Sequence, residues 1–353
     1  MAIKYKWLAA RLREQLPEYV ARGQHQLPTE SELSKRYKVS RQTVRQALAV
    51  LAQEGLIEKR QGSGSYLSGR LHDDTYNTIG ILVTSDREYL YPTLLHNLRA
   101  SLLEHGFTLQ IHVTHHEVAR ERAILKDLLA DPPRALIIDP VKSALPNPNL
   151  DLYRALLRKS VHIVFMQYRY PQLANTICIS EANLSGSRML VEYLISQGHT
   201  SIGCLLCADT AAGIERYQGM METLRDHNLP LPDQTARWFH SYELYQLLRR
   251  HDADFIKKAV QESLHSCTAI LCHNDMIAYE LLRQLHSAED PTLSEIVVVS
   301  FDHSYLCTAG THPFLSLAHP TRAWEQALTD AVLAPLKGLT ATSLTLTWEP
   351  MIS

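Results

Sequence analysis

Long apolar runs are missing from this sequence. Nowhere in its 353 residues is there an uncharged apolar stretch of the ~18 residues a membrane helix needs, and the first residues lack the apolar core of a signal region. The expectation is a soluble, cytoplasmic protein with no membrane partner. Cysteine is sparse as well, and six in a chain of this length do not make a disulfide framework. Cys204 and Cys207 form a C-x-x-C, but inside the apolar strand pattern Ser201–Asp209. Residues three apart on a strand point to opposite faces, so this pair converges on neither a metal nor a disulfide. Cys267 and Cys272 straddle another apolar run, and buried free thiols are expected throughout. Catalytic signatures are also absent: G-x-S-x-G, H-E-x-x-H, a Walker A loop, and G-x-G-x-x-G after a strand. No catalytic residue, metal or cofactor is therefore expected. His112, His115 and His116 cluster after a strand in what reads as a surface loop, where solvated histidines are expected rather than a metal site.

What the chain does have is a charge asymmetry hidden in its net −2. Residues 1–70 hold 13 Lys and Arg against 6 Asp and Glu, a balance of +7, and the remainder holds 22 against 31, or −9. A basic head on an acidic body points to a nucleic-acid partner for the head alone.

Within the head, residues 4–16 read as an amphipathic helix burying Trp7, Leu8, Leu12 and Leu16, with Pro17 breaking it and Gly23 ending the segment. Thr29 and Glu32 make a T-x-x-E capping box for a short helix with Leu33 and Tyr37 inward, ending at Val39. Ser40 then caps a second helix whose core face is Val44, Ala47, Leu48 and Leu51. Its other face carries Arg41, Gln42, Thr43, Arg45 and Gln46, side chains that pair with phosphates or purine edges in a major groove. Gly55 is a plausible stop for that helix. Leu56–Arg60 and Tyr66-Leu67 read as two strands around a Gly62-Ser63-Gly64 turn. A merely solvated charged helix face is the alternative, but it needs neither the clustering nor the basic hairpin.

These residues resemble the winged helix-turn-helix of the gluconate-repressor (GntR) family of bacterial regulators. The likeness covers residues 4–67 and rests on Leu27-Pro28-Thr29-Glu30, Val39-Ser40-Arg41, Thr43-Val44-Arg45, Glu54-Gly55-Leu56-Ile57 and Gln61-Gly62-Ser63-Gly64. The resemblance implies that double-stranded operator DNA is approached by Thr29, Ser40, Arg41, Gln42, Thr43 and Arg45, and by Gln61, Gly62 and Ser63 from the wing. The family often has Arg where this chain has Ser31.

A polar stretch at 69–77 reads as a linker, separating a DNA-binding domain (1–68) from a body (78–353). From Thr78 onward, short β-branched runs alternate with helical patterns in two consecutive series, as expected of two lobes of parallel sheet covered by helices on both faces. The fold class is thus α/β, a winged helix-turn-helix followed by two doubly wound lobes, allotted as 78–180 with 304–320 and 181–303 with 321–353. Polar residues sit at the strand ends, where open α/β sheets bind ligands. Ser85-Asp86 and Tyr91 follow the first strand and Lys142 the third; Gln167-Tyr168 follow the fourth, then come Glu181, Asp209, Arg216, Asn274-Asp275 and Asp302-His303. Such groups beside aromatics suit a polyhydroxylated neutral ligand. For Asp209 and Asp275, capping the next helix is an equal alternative.

The body resembles the effector domain of the lactose/galactose-repressor family, through Ser196–Gly203, Ala269–Leu282, Ile296–His303 and Leu315–Leu328. That likeness implies a two-lobed fold like the periplasmic sugar-binding proteins, with Gln167, Arg216, Asn274 and Asp302 on the ligand and His319 at a lobe crossover. The stretch Asp139–Tyr153 behind a GntR-type head resembles arabinose-responsive repressors and implies Lys142 as a further contact. The candidate ligand residues are therefore Asp86, Tyr91, Lys142, Gln167, Tyr168, Glu181, Arg216, Asn274, Asp302 and His319. The family often reads F-D-D and V-D-x where this chain has Phe301-Asp302-His303 and Ser180-Glu181-Ala182. The implied protein is a homodimeric repressor released from its operator by a small sugar, arabinose or a related pentose. A regulator whose body only dimerises, and a sugar-modifying enzyme with a DNA-binding head, are the alternatives.

Overall fold

The computed structural model describes residues 2–21, 24, 26–60, 64–68, 77–230, 233–309, 312–319 and 322–350. The head comprises α1 (Ala2–Ala21), α2 (Glu30–Tyr37), α3 (Arg41–Gln53) and the antiparallel pair β1 (Ile57–Arg60) and β2 (Gly64–Leu67). Both capping signals act as the sequence predicts. The Thr29 hydroxyl accepts from the Glu32 amide at 3.3 Å while the Glu32 carboxylate accepts from the Thr29 amide at 2.7 Å. Ser40 Oγ accepts from the Thr43 amide at 3.1 Å. Val44, Ala47, Leu48 and Leu51 are buried, and Gly55 has the left-handed φ (71°) of a helix stop.

Two expectations for α1 fail. The helix runs through position 17 instead of breaking there. A proline removes one amide donor, and the buried stripe of Leu8, Ala9, Leu12 and Leu16 before that gap, with the partly buried Tyr19 after it, keeps the helix in the head's core. Trp7 lies outside the stripe. It is 53% exposed and stands edge-on to Tyr37 at 6.2 Å.

The body's first lobe contains β3 (Thr78–Val83), α4 (Leu90–Glu104), β4 (Thr108–Val113), α5 (Val118–Ala130), β5 (Ala135–Ile138), α6 (Leu150–Arg158), β6 (His162–Gln167) and β7 (Ile177–Glu181). The second begins with α7 (Asn183–Ser196), β8 (Ile202–Cys207), α8 (Ala211–Asp226), β9 (Ala236–Phe239), α9 (Ser241–Arg250) and α10 (Asp254–Glu262). It continues through β10 (Ala269–Cys272), α11 (Asp275–Ser287), β11 (Val297–Phe301), α12 (Tyr305–Ala309) and β12 (Leu315–Ala318). Helix α13 (Ala323–Leu336), β13 (Leu344–Leu346) and β14 (Glu349–Pro350) follow.

The two sheets run β4-β3-β5-β6-β7-β13 and β9-β8-β10-β11-β12-β14, parallel except that β14 is antiparallel to β12. This corrects the lobe allotment. Residues 304–320 were expected in the first lobe, but β12 pairs with β11 in the second. Residues 321–353 were expected in the second; Trp348 and β14 do lie there, but α13 buries Trp324, Leu328, Val332 and Leu336 in the first lobe's core, and β13 pairs with β7. Apolar periodicity is blind to which of two similar sheets an element joins. The chain therefore passes between lobes three times, at 181–183, 319–322 and 347–348.

Cys204 and Cys207 fall in different cores on opposite faces of the second sheet, and all six cysteines are free and buried. Among the described residues, no helix is long and apolar enough to cross a membrane.

Candidate functional site

In the head, Arg41, Gln42 and Arg45 are exposed at the start of α3, and Thr43 is half-buried. The free amides and positive end of the helix lie beside them, a combination that favours phosphate. Thr29 and Ser40 are exposed at their caps. Arg41 donates to Ser31 Oγ at 3.1 Å, and Arg45 pairs with Glu30 at 2.8 Å. Gln61, Gly62 and Ser63 lie outside the described residues.

In the body, strand ends of the two sheets meet across a cleft, and side chains of one lobe bond to the other. Tyr89, from the loop between β3 and α4, donates its hydroxyl to Asp302 and accepts from the Asp275 amide at 3.2 Å. Glu88 accepts from Asn274 at 3.0 Å, and Lys142 pairs with Asp209 at 3.0 Å. His115 packs on Tyr245 with centroids 5.6 Å apart.

Arg216 is the centre of one end of this cleft. Its Nε donates to Asn183 Oδ1 at 2.9 Å, one terminal nitrogen to the His273 carbonyl, and the other approaches Glu181 at 3.3 Å. The guanidinium also lies over the Phe301 ring, 3.9 Å from its centroid. Helix α8 can hold Arg216 here because Gly219 packs so closely on the Leu184 carbonyl of α7 that a Cβ would clash. His319 shares the same carboxylate through Nε2 at 3.1 Å, reaches the Thr347 carbonyl through Nδ1 at 3.1 Å, and stacks on Trp348 at 3.7 Å.

The other end is organised by the loop after β5. Glu121, fully buried, accepts from Asn147, Asn149 and Tyr153, and Tyr170 donates to the Val141 carbonyl at 3.0 Å. That network fixes the backbone carrying Lys142, which has a left-handed φ of 50°. Asp209 takes the Ser241 amide and hydroxyl at 2.9 and 2.8 Å. Burial opposes its charge, yet these bonds hold its pKa at about 2.

Carboxylates crowd the cleft and shift one another. Burial, then the Asp302 and Asp139 charges, push Glu88 up to about 8. Burial and Asp302 push Asp275 up to about 7, and burial raises Asp302 itself. Asp139 is raised by burial against bonds from Thr84 and Tyr91. Neutral carboxyls of this kind donate as well as accept.

The sequence-predicted residues fare unequally. Lys142, Glu181, Arg216, Asn274, Asp302 and His319 are brought together. Gln167 (φ 69°) and Tyr168 are half-buried at the end of β6. Asp86 is exposed and lies off the cleft's hydrogen bonds. The physical reason is a turn in which Ser85 Oγ accepts from the Arg87 and Glu88 amides, so that Glu88 and Tyr89 reach across instead. Tyr91 is committed beneath the cleft, its hydroxyl 2.5 Å from Asp139. Asp209 and Asp275 cap neither helix that follows them, since Thr210 and Asn274 do so. Asp275 instead accepts from Ser304 and Ser316. The histidine loop is not a solvated one: His116 is 9% exposed, and burial lowers its pKa to about 4. Glu88, Tyr89 and Asn183 escaped the sequence reading, although Glu88-Tyr89 could have been flagged as polar residues in the same loop as Asp86.

Cys207 bonds to Asp209, and burial pushes its thiol up, away from nucleophilic character. Among the described residues, no group of three or more His, Cys, Asp or Glu is placed to hold a metal ion.

Comparison with known proteins agrees with this anatomy. Residues 4–67 match the family of bacterial regulatory proteins, gntR family, and residues 191–343 match the periplasmic binding protein-like domain. The arabinose metabolism transcriptional repressor of Geobacillus stearothermophilus is 28% identical over 315 residues, covering 88% of this chain and 85% of that protein. Its namesake from Halalkalibacterium halodurans is 26% identical, covering 91% and 86%. A crystal structure of a putative transcription regulator from Staphylococcus saprophyticus superposes with a TM-score of 0.67 at 15% identity, covering 78% of this chain and 97% of that one. That last likeness is one of fold.

Proposed function

We propose that this joining of a gntR-type head to a periplasmic-binding-protein-like body makes the protein a transcriptional repressor that leaves its operator when a sugar enters the cleft. The observation that carries the reading is the cleft itself: Arg216, Glu181, Asn274 and Asp302 from both lobes converge beside Phe301 and Trp348, on a chain whose recognition helix exposes Arg41, Gln42 and Arg45. Charged and amide groups around a ring face are what a polyol needs, since each hydroxyl both donates and accepts. The relatives' names favour arabinose or a related pentose.

Two copies of the head would read two half-sites of a near-palindrome, so the working form is a homodimer. The sugar acts by binding one lobe arrangement more tightly than another, which shifts the spacing of the paired heads. Lys142–Asp209, Glu88–Asn274 and Tyr89–Asp302 are among the lobe-to-lobe bonds that such a shift rearranges. Calorimetry of the whole protein against L-arabinose, D-ribose, D-xylose and D-galactose tests the reading, alongside operator gel shifts with each sugar. Binding of one of them with release from DNA supports it. Binding of none overturns it in favour of a body that only assembles the dimer.

A further inference from the structure

We propose that His116 and His273 form a recognition subsite in the cleft between the Lys142–Asp209 pair and Arg216, each presenting one imidazole nitrogen to a hydroxyl of the bound sugar. The inference rests on the sugar-sensor reading above and adds two residues and a position to it.

The two histidines come from opposite lobes. His116 lies in the turn after β4, on left-handed backbone at φ 59°, a conformation that His tolerates better than most side chains. His273 is the first residue after β10. Both are more than nine-tenths buried, at 9% and 8% exposure. Both lie within electrostatic reach of Asp209, His116 also of Lys142 and His273 also of Arg216. Asp209 is thus a neighbour common to both, and the Arg216 guanidinium also donates to the His273 carbonyl.

Each carries an unmet hydrogen bond, as do His112, Ser263, Ser300 and Trp348 among the described residues, but only these two are more than nine-tenths buried imidazoles. His116 Nε2 and His273 Nδ1 are buried and have no partner among the described residues. A buried polar atom left unpaired costs about 1–3 kcal/mol, so it is rarely kept without reason. His273 is set edge-on to Phe239 at 5.7 Å, a place an apolar ring would fill with no such cost. Burial keeps both imidazoles uncharged near neutrality, with His116 at about 4 and His273 well below 6.5. A neutral imidazole offers one donor and one acceptor. That suits a hydroxyl and gives no advantage to a phosphate or carboxylate.

The test uses the full chain, its melting temperature without ligand, and calorimetry with the same four sugars. His273→Phe keeps a ring against Phe239 and deletes the unpaired nitrogen. The expected result is an unchanged or higher melting temperature with affinity for the bound sugar weakened about tenfold or more, the loss of one good hydrogen bond. His116→Asn, which also tolerates left-handed backbone, should weaken binding similarly, and it carries the test alone should His273→Phe not fold. Wild-type affinity in these variants overturns the subsite, as does a lower melting temperature with affinity kept, which marks a packing role. A wild-type protein that binds none of the four sugars is a different outcome, and it overturns the sugar reading itself.

Discussion

His319 Nε2 lies 3.1 Å from Glu181 Oε1, and its other nitrogen meets the Thr347 carbonyl at 3.1 Å, so one imidazole ties together all three segments that cross between the lobes. Glu181 is at the first crossing, His319 at the second and Thr347 at the third. Burial works against its positive charge, but the bond to Glu181 and that carboxylate's field prevail and raise its pKa above 6.5. A raised folded-state pKa means that the contribution is complete below the unfolded value and disappears as pH climbs through the folded one. The melting temperature of the body should therefore fall from about pH 6.5 upward, by about 2–4 °C for each kcal/mol lost. His319→Gln should flatten that part of the profile in thermal melts taken between pH 6 and 8.5.

Glu88 provides a second pH signature. It is neutral in the fold up to about pH 8 but ionises near its ordinary value when unfolded, so it costs stability progressively as pH rises from 4.5. Glu88→Gln keeps an acceptor for Asn274 and removes this cost. The variant should melt at least about 2–4 °C above wild type at pH 8, on the order of 1 kcal/mol or more. It should match wild type only near pH 4, where the unfolded carboxyl is itself mostly protonated. Equal melting at both values rules out a neutral Glu88.

Arg216→Ala should abolish release of the protein from operator at sugar concentrations that release wild type, with operator affinity itself preserved. It should also lower the melting temperature, because Glu181 and Asn183 lose their buried partner; breaking a buried pair costs about 3–5 kcal/mol. Gel shifts with and without sugar separate the two effects. Normal release would place the ligand elsewhere.

Arg45→Ala should lose operator binding while sugar binding and stability stay as they are. The side chain is 70% exposed and its ion pair with Glu30 is of the surface kind, worth less than about 1 kcal/mol. An unchanged gel shift would remove α3 from the DNA interface.

Glu121→Ala should destabilise the first lobe by about 3 kcal/mol or more, since Asn147, Asn149 and Tyr153 would each be left with an unmet donor in the core. Loss of sugar affinity should accompany it, because Lys142 sits on the loop this carboxylate holds. Chemical denaturation and calorimetry on one preparation check both.

The sequence was most legible where a residue type has one local meaning. The Thr29–Glu32 box, the Ser40 cap and the 3.6-residue stripe from Val44 to Leu51 depend on neighbours within a few positions, and all three hold in the fold. Most body strands likewise announced themselves as β-branched runs. Position in space was another matter. The swap of 304–320 and 321–346 between lobes came from long-range pairings that leave no local trace. In the cleft, strand ends could be found from pattern alone, yet which of Asp86, Glu88 and Tyr89 crosses it is decided by a turn at Ser85. His116 and His273 could not be told from surface histidines without knowing their burial.

The pairing of β13 with β7 joins Leu344–Leu346 to residues 165 positions earlier, and Trp348 completes the second core a few residues on. Neither lobe has its full sheet until that stretch has left the ribosome. The head, whose core from Leu8 to Leu67 closes within one short region, can form far sooner. Synthesis therefore produces a DNA reader before it produces the sensor that governs it, and loop closure over some 165 residues sets the pace of the second event.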